Sequence, residues 1–366
     1  MIRPTVLHVT QPCEAGVARC VLDLVSDQVS RDWEVVVASP AHAEFVRRVV
    51  ATGARHLPWA AKRSPGPTVV AETVRLHRIV NDVAPNIVHL HSSKAGLCGR
   101  LAVRGRRLTI FQPHSWSFAA WEGARGRAAV SWERLAERWT QVTICVSEGE
   151  QADGRGVGLE GPIQVVPNGV DVQRPAATCA ERDEARRCLE LADAPTVVCV
   201  GRLTRQKGQD ILLEAWPRVR ARLSSAQLVL VGDGEDRLFL EREAPTGVRL
   251  VGHREDVRSW IAAADLVAQP SRWEGMSFTI LEAMAVGRSV VATDVGGARE
   301  VLLPRAGAVV PAEDAEALAS AVVERLLDPN PTVAEGRIGR QRVEDMYDVR
   351  RQTADVAELY KFLTDP

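Results

Sequence analysis

The sequence predicts an α/β protein of two domains, each a parallel sheet covered by helices on both faces. Three observations carry this reading. The chain has 366 residues, more than one hydrophobic core ordinarily serves. Short β-branched runs such as TVLHV (5–9), EVVVAS (34–39), NIVHLH (86–91) and QLVLV (227–231) alternate with longer stretches at helical spacing, the pattern of strands joined by crossover helices. The opening sequence of strand, turn and helix recurs at TVVCVGRLTRQKGQD (196–210), which begins a second alternating series. In such sheets the ligand loops lie at the carboxyl ends of the strands.

Composition narrows the function classes. Charged residues make up 25% and apolar residues 46%, ordinary for a soluble globular protein. No run of 18 apolar residues occurs, and MIRPTVLHVT reads as a strand and not as a signal peptide, so a cytoplasmic location is expected. Seven cysteines without a C-x-x-C pair fit reduced thiols better than a disulfide framework or a zinc site. A net charge of −1 gives no reason to expect a nucleic acid partner. Residues 1–170 nevertheless hold 20 Lys and Arg against 15 Asp and Glu. A basic first domain suits an anionic acceptor, or peripheral contact with the inner face of a membrane, as well as an ordinary solvated surface.

In the first domain, the strand at 5–9 leads through TQPCEAG into the helical pattern VARCVLDLVSDQV. Gly16 precedes that helix as in a nucleotide-fold turn, but no G-x-G-x-x-G follows, so a dinucleotide fingerprint is not supported. His89 and His91 are two apart on a strand and share a face. A metal pair would need a third ligand, and none is in view, which leaves strand-end packing as the plainer role. The segment HSSKAGLCGRLAVR (91–104) sets Lys94 and Arg100 just beyond the strand end. There they could meet an anionic or polyol acceptor, or form a solvated basic helix face. LTIFQPHSWSF (108–118) is a strand ended by Pro113, which leaves His114 in the loop that follows. Trp116, Phe118, Trp121, Trp132 and Trp139 are expected mainly to pack the helix at 126–139 onto the sheet. VTICVS (142–147) and IQVVPNGVD (163–171) close the domain, with the boundary near 172.

In the second domain Arg202 and Lys207 are five apart across a loop, so both cations can converge on one anion at a strand's carboxyl end. No Asp-x-Asp metal motif is placed at a strand end. VRLVGHREDV (248–257) sets His253 and Arg254 at a strand end, and Asp265 reads as a structural turn or cap residue. The most informative stretch is PSRWEGMSFTILEAMAVG (270–287). From Ser277 it is built of helix formers, with Ile280, Leu281 and Met284 at helical spacing and Gly287 as a stop. Glu274 then sits in the preceding loop, and Glu282 about a turn and a half inside the helix. Between them Gly275, Met276 and Ser277 bring backbone N–H groups to a helix N-terminus, where a phosphate is held. Carboxylates accept from hydroxyls and amides hold the phosphate, which is what a nucleotide-sugar needs. Two solvated glutamates would show the same spacing. Val349, Thr353, Val356, Tyr360 and Leu363 recur every three or four residues and describe a last amphipathic helix.

The words EGMSFTILEAMAVGRSVVATDVGG (274–297), GRLTRQKG (201–208) and HSSKAGLCGRLAVR resemble the GT-B glycosyltransferases, specifically retaining family 4, glycosyl transferases group 1. The resemblance implies two Rossmann-like domains facing across a cleft. Residues 1–172 would be the acceptor side, 173–342 the nucleotide-sugar side, and 343–366 a helix crossing back to the first domain. It implies His114, Lys207 and Glu274 as catalytic residues. It places Gly16, Arg202, Lys207, Arg254, Glu274, Gly275, Met276, Ser277, Phe278 and Glu282 around the donor, with Lys94 and Arg100 on the acceptor side. No metal and no cofactor are implied, since the nucleotide-sugar, expected to be UDP-linked, is a substrate. The acceptor would be a hydroxyl of a glycan, a lipid-linked sugar or a small natural product. Met276 and Ser277 stand where many members have Phe and Gly, and Ala15 and Gly16 occupy a loop usually richer in glycine. Two other functions fit the same fold: a nucleotide-sugar 2-epimerase, and a catalytically silent protein that binds a sugar nucleotide or polysaccharide.

Overall fold

In the computed structural model, which describes residues 3–364, every strand pair of both sheets is parallel. The chain divides into two units, one running to Asn168 and resuming at Arg350, the other spanning Gly169–Val349. The strands of the first unit are β1 (Thr5–Thr10), β2 (Glu34–Ser39), β3 (Arg55–Pro58), β4 (Ile87–His91), β5 (Leu108–Gln112), β6 (Val142–Cys145) and β7 (Ile163–Val165). Those of the second are β8 (Thr196–Val200), β9 (Gln227–Val231), β10 (Val248–Gly252), β11 (Leu266–Gln269), β12 (Ser289–Thr293) and β13 (Gly307–Val310).

The sheet orders are β3-β2-β1-β4-β5-β6-β7 and β10-β9-β8-β11-β12-β13. In each unit the chain builds outward from its first strand on one side, then returns to build on the other. The loops leaving β1 and β4, and those leaving β8 and β11, therefore part at the carboxyl ends of neighbouring strands and leave a crevice there. These are Rossmann-like units, as the alternation of strands and helices predicts.

Side-chain alternation along each strand sorts the core into two faces. In the first unit Leu7, Val36, Ala38, Val88 and Leu90 pack with Leu76, Cys98 and Phe111. Val35 and Val37 point the other way, onto Val21, Val25, Phe45 and Val49. The second unit is filled by Val197, Cys199, Leu228, Leu230 and Leu266 against Ile211, Trp216, Leu318 and Val322.

The final helix, Val349–Thr364, joins the first unit from Arg350 on and buries Gln352, Thr353, Val356, Ala357 and Tyr360. The helix before it, Pro329–Met346, stays with the second unit, so the return begins later than residue 343. Two elements differ from the sequence reading. β3 (RHLP) forms at the open edge of β2 without any apolar run of its own, and β7 is only three residues long because Pro167 follows it closely.

Candidate active site

The crevice between β8 and β11 is where the second unit gathers its polar groups. After β8 the chain passes Gly201 and Arg202, turns once as a 3-10 helix over Arg205–Lys207, and enters the helix Gln209–Arg222 through Gly208 at φ 66°. A Cβ on Gly208 would lie 2.0 Å from the Pro270 carbonyl oxygen, so only glycine lets this turn close onto the loop after β11. That approach sets Lys207 against Glu274, and the two form an ion pair. Ser271 Oγ donates to the same carboxylate at 2.8 Å, and Gln269 Nε2 donates to Ser271 Oγ at 2.6 Å. Gln206 accepts from Arg202 Nη2 at 3.1 Å and donates to the Trp273 carbonyl at 3.0 Å. Two sets of bonds, one through Arg202 and Gln206 and one through Lys207 and Glu274, thus tie the loop after β8 to the loop after β11.

The loop is anchored from outside by Arg272, which makes paired hydrogen bonds to Asp210 at 2.8 and 2.7 Å and also reaches Glu313. Hydrogen bonding to Asp210 holds the Arg272 guanidinium above its ordinary range. Burial alone would raise the Asp210 carboxyl, but the bonds from Arg272 outweigh it and hold the group down. The helix begins at Phe278, with Ser277 as its N-cap and Gly287 at φ 83° as its stop. The Ser277 side chain makes no cap hydrogen bond, and its buried hydroxyl has no partner among the described residues. Ser277 and Gln269, whose Oε1 is likewise unpartnered, line a narrow pocket with Glu274, Thr293 and Val295. Met276 is buried, Glu282 is half-buried one turn into the helix, and Arg254 is exposed 6.0 Å from the Trp260 ring.

In the first unit His114 follows Pro113 at φ 56° and Ser115 at φ 105°, both in the left-handed region. Glu150 holds this turn. Its carboxylate accepts from the Ser115 and Val146 backbone N–H groups, and its carbonyl accepts from Trp116 Nε1 at 2.6 Å. Behind His114 lies a row of buried histidines. His91 Nδ1 meets His114 Nε2 at 3.1 Å, His8 Nδ1 meets His91 Nε2 at 2.9 Å, and His8 Nε2 meets Gln28 Oε1 at 2.8 Å. His89 Nδ1 meets the Tyr360 hydroxyl at 2.5 Å. Burial pushes His8 down to about 4 and His114 to about 3, and drives His89 and His91 well below the usual imidazole range. The third histidine missing from the sequence reading is His8, which β1 places beside His89 in register. The nitrogens of His8, His89 and His91 lie within 4.8 Å of one another, yet His8 and His91 already bond each other. Gly16 stands in the first turn of the helix Ala15–Ser30, next to Ala15 at φ 54°.

Lys94 and Arg100 do not meet the expectation of an acceptor-facing pair, nor that of a solvated face. Lys94 is 3% exposed and pairs with Glu72 at 2.6 Å; Arg100 is 1% exposed and pairs with Glu133 at 2.7 Å. The Arg100 guanidinium also lies 3.9 Å from the centre of the Phe111 ring. A buried cation needs such a partner, so both charges are spent inside the first unit. Asp265 has the structural role expected of it, accepting from Arg186 at 2.7 Å and from the Thr196 N–H at 2.8 Å. Residues that sequence reasoning passed over are Ser271, Gln206 and Gly296. A Cβ on Gly296 would lie 2.4 Å from the Glu274 carbonyl oxygen and 2.3 Å from that of Gly275. The pair Gly296-Gly297 in TDVGG was the available signal: the Gly297 N–H donates to the Gly275 carbonyl at 2.7 Å.

Residues 194–328 match the family model described as Glycosyl transferases group 1, and residues 15–174 match that described as Glycosyltransferase Family 4. A GDP-mannose-dependent α-(1-6)-phosphatidylinositol monomannoside mannosyltransferase of Mycolicibacterium smegmatis is 35% identical over 317 residues, covering 81% of this chain and 80% of that one. A GDP-mannose-dependent monoacylated α-(1-6)-phosphatidylinositol monomannoside mannosyltransferase of Corynebacterium glutamicum is 37% identical over 201 residues. That alignment covers 51% of this chain and spans about half of the relative, 53%. Among solved structures, Anabaena HepE in complex with UDP and glucose superimposes with a TM-score of 0.84 at 22% identity, covering 97% of this chain and 99% of that one.

Proposed function

Because this chain belongs to the group 1 glycosyl transferases of glycosyltransferase family 4, on the GT-B fold, we propose that it moves a mannosyl unit from GDP-mannose to a hydroxyl of a lipid-linked glycan, with retention at the anomeric carbon. The observation that carries the reading is the convergence of Arg202, Lys207 and Glu274 at the switch point of the second sheet. The donor follows from relatives at 35% and 37% identity named as GDP-mannose-dependent, in place of the UDP-linked donor expected from the sequence. A UDP-sugar is the comparison arm of the test.

The reading assigns each group a task. As the glycosidic bond breaks, negative charge grows on the leaving diphosphate. Lys207 and Arg202 oppose it, and the first turn of the helix Phe278–Val286 adds roughly half a positive charge. With these groups opposing the leaving charge, the proposed reaction takes neither a metal ion nor a cofactor. Glu282 holds ribose hydroxyls and Glu274 sugar hydroxyls, with Gly275, Met276, Ser277 and Phe278 at the phosphate. Arg254 flanks the base, and Gly16 and His114, in the first unit, keep the donor-side roles that the resemblance implies. The acceptor hydroxyl attacks on the face the diphosphate leaves, and its proton passes to a phosphate oxygen. Among the described residues no helix is long and apolar enough to cross a membrane. A lipid-linked acceptor is therefore met at a surface, which the positive charge of residues 1–170 favours.

The experiment is incubation with GDP-mannose or a panel of UDP-sugars, with and without a phosphatidylinositol mannoside acceptor, and NMR of the product. An α-linked mannoside from GDP-mannose alone among the donors is expected. A β-linked product refutes retention. An epimerised nucleotide-sugar formed without acceptor supports the 2-epimerase reading, and donor binding without turnover across acceptors supports the silent binder.

A further inference from the structure

The row of histidines behind His114 ends on a carboxamide, and that end sets the direction of every hydrogen bond along it. Gln28 is buried in the helix Ala15–Ser30, and its Oε1 faces His8 Nε2 at 2.8 Å. A carboxamide oxygen only accepts, so the proton of His8 is on Nε2. A neutral imidazole then has a lone pair on its other nitrogen. His8 Nδ1 accepts from His91 Nε2 at 2.9 Å, and His91 Nδ1 accepts from His114 Nε2 at 3.1 Å. The remaining nitrogen, His114 Nδ1, carries a lone pair and has no hydrogen-bond partner among the described residues.

The row is neutral for two reasons. His8 and His91 are wholly buried, and burial lowers the affinity of each ring for a second proton. With the protons so placed, a second one on His8 or His91 would also set two N–H groups head to head at one of these short contacts. Among the described residues no carboxylate bonds to the row; the His89 ring packs on His91 and His8, with centroids 3.9 and 5.4 Å away, and the Tyr360 hydroxyl lies against His89 and the Gln28 side chain.

We propose that Gln28, His8 and His91 are positioning residues that hold His114 as its Nε2–H tautomer, so that the ring offers the donor sugar a lone pair and not an N–H. This deepens the donor-side role of His114 and rests on it. A lone pair matters more as the reaction proceeds. The sugar ring gains positive charge as the bond to the diphosphate lengthens, and the negative end of the imidazole dipole opposes that charge, whereas an N–H would add to it. Gln28 cannot pass a proton on, so the arrangement is a fixed polarity and not a relay.

The test reads the tautomers directly. Two-bond 1H–15N spectra of the full chain labelled with 15N-histidine, near neutral pH, should show His8, His91 and His114 each protonated on Nε2 alone. Nδ1–H on His114, or an imidazolium anywhere in the row, overturns the inference without any variant having to fold. Gln28→Met removes the acceptor, so a proton left on His8 Nε2 would be buried without a partner and nothing holds the row in its direction. The variant should show His114 protonated on Nδ1, with kcat lowered about tenfold or more and donor KM changed less than about threefold. A His114 that stays protonated on Nε2 alone in a folded Gln28→Met protein also overturns the proposal, as does a reversed tautomer with wild-type kcat. Failure of wild-type protein to bind any nucleotide-sugar, with the expected tautomers present, fails the donor reading instead.

Discussion

The Lys207 ammonium rests on the Glu274 carboxylate, which also accepts from Ser271 Oγ at 2.8 Å. The two charged residues are 67 positions apart and stand at the ends of β8 and β11, neighbours in the sheet. On the proposed reading the carboxylate turns to a sugar hydroxyl when a diphosphate takes the ammonium.

Lys207→Ala and Glu282→Gln should fail differently. A cation aimed at the leaving diphosphate acts more strongly in the transition state than before it, so losing Lys207 should lower kcat by roughly 10² to 10³. On the proposed reading Glu282 holds the ribose and makes the same contacts before and during reaction. Its loss should raise donor KM and change kcat less. Both constants measured at saturating acceptor decide the matter; wild-type values in both variants would remove the donor from this element.

Activity should survive an excess of chelator. On the proposed reading Arg202, Lys207 and the helix beginning at Phe278 together oppose the charge of the leaving diphosphate, and a metal ion would duplicate them. Complete loss of turnover in chelator, restored only by magnesium or manganese, contradicts this.

Gly296→Ala should weaken donor binding. Its Cβ would strike the Glu274 and Gly275 carbonyl oxygens, at 2.4 and 2.3 Å, and push the loop that carries Glu274. Gly156→Ala meets nothing within 4 Å and serves as the control. Donor affinity by calorimetry should fall in the first variant and hold in the second.

Arg100→Met should destabilise the first unit by about 3 to 5 kcal/mol, because it leaves the Glu133 carboxylate buried without its partner. Replacing both residues by apolar ones of similar size should recover most of that loss. Urea unfolding of the single and double variants checks it, and an undiminished midpoint in Arg100→Met would show that the pair contributes little.

Acid should unfold the first unit early. His8 and its neighbours titrate far lower folded than unfolded, where the value is near 6.5. As pH falls below about 6.5 the unfolded chain takes up protons that the folded chain refuses. Stability present above that pH is lost toward about 4, at about 1.4 kcal/mol per pH unit for each such histidine. His8→Asn should flatten the decline of melting temperature between pH 7 and 5, and an unaltered slope would reject this cause.

The loop and helix at 270–287 were readable because their signals are contiguous. Glu274, the helix formers after Ser277 and the stop at Gly287 lie in one stretch, and helix and loop follow from local preference. The alternation of buried strands with helices likewise carried both sheets. What escaped depends on register and on distant partners. Lys94 and Arg100 look like surface cations until Glu72 and Glu133 are brought to them by packing. His89 and His91 lacked a third partner in sequence because His8 reaches them only through the pairing of β1 with β4. β3 has no apolar pattern, and only the open edge of β2 makes it a strand.

The return of the last helix to the first unit has a consequence for how the protein is made. Tyr360, whose hydroxyl meets His89, lies 271 residues after it. Gln352, from the same helix, reaches Cys20 and Asn168 at 3.4 and 3.3 Å. A ribosome delivers the whole of Gly169–Val349 between these partners. Throughout that interval the nascent first unit has a bare flank over His89 and Cys20, while every strand of the second unit is made within it. At about 5–20 residues per second the delay is on the order of ten to forty seconds. The part made first is completed last, and during synthesis it is the part that a chaperone would need to shield.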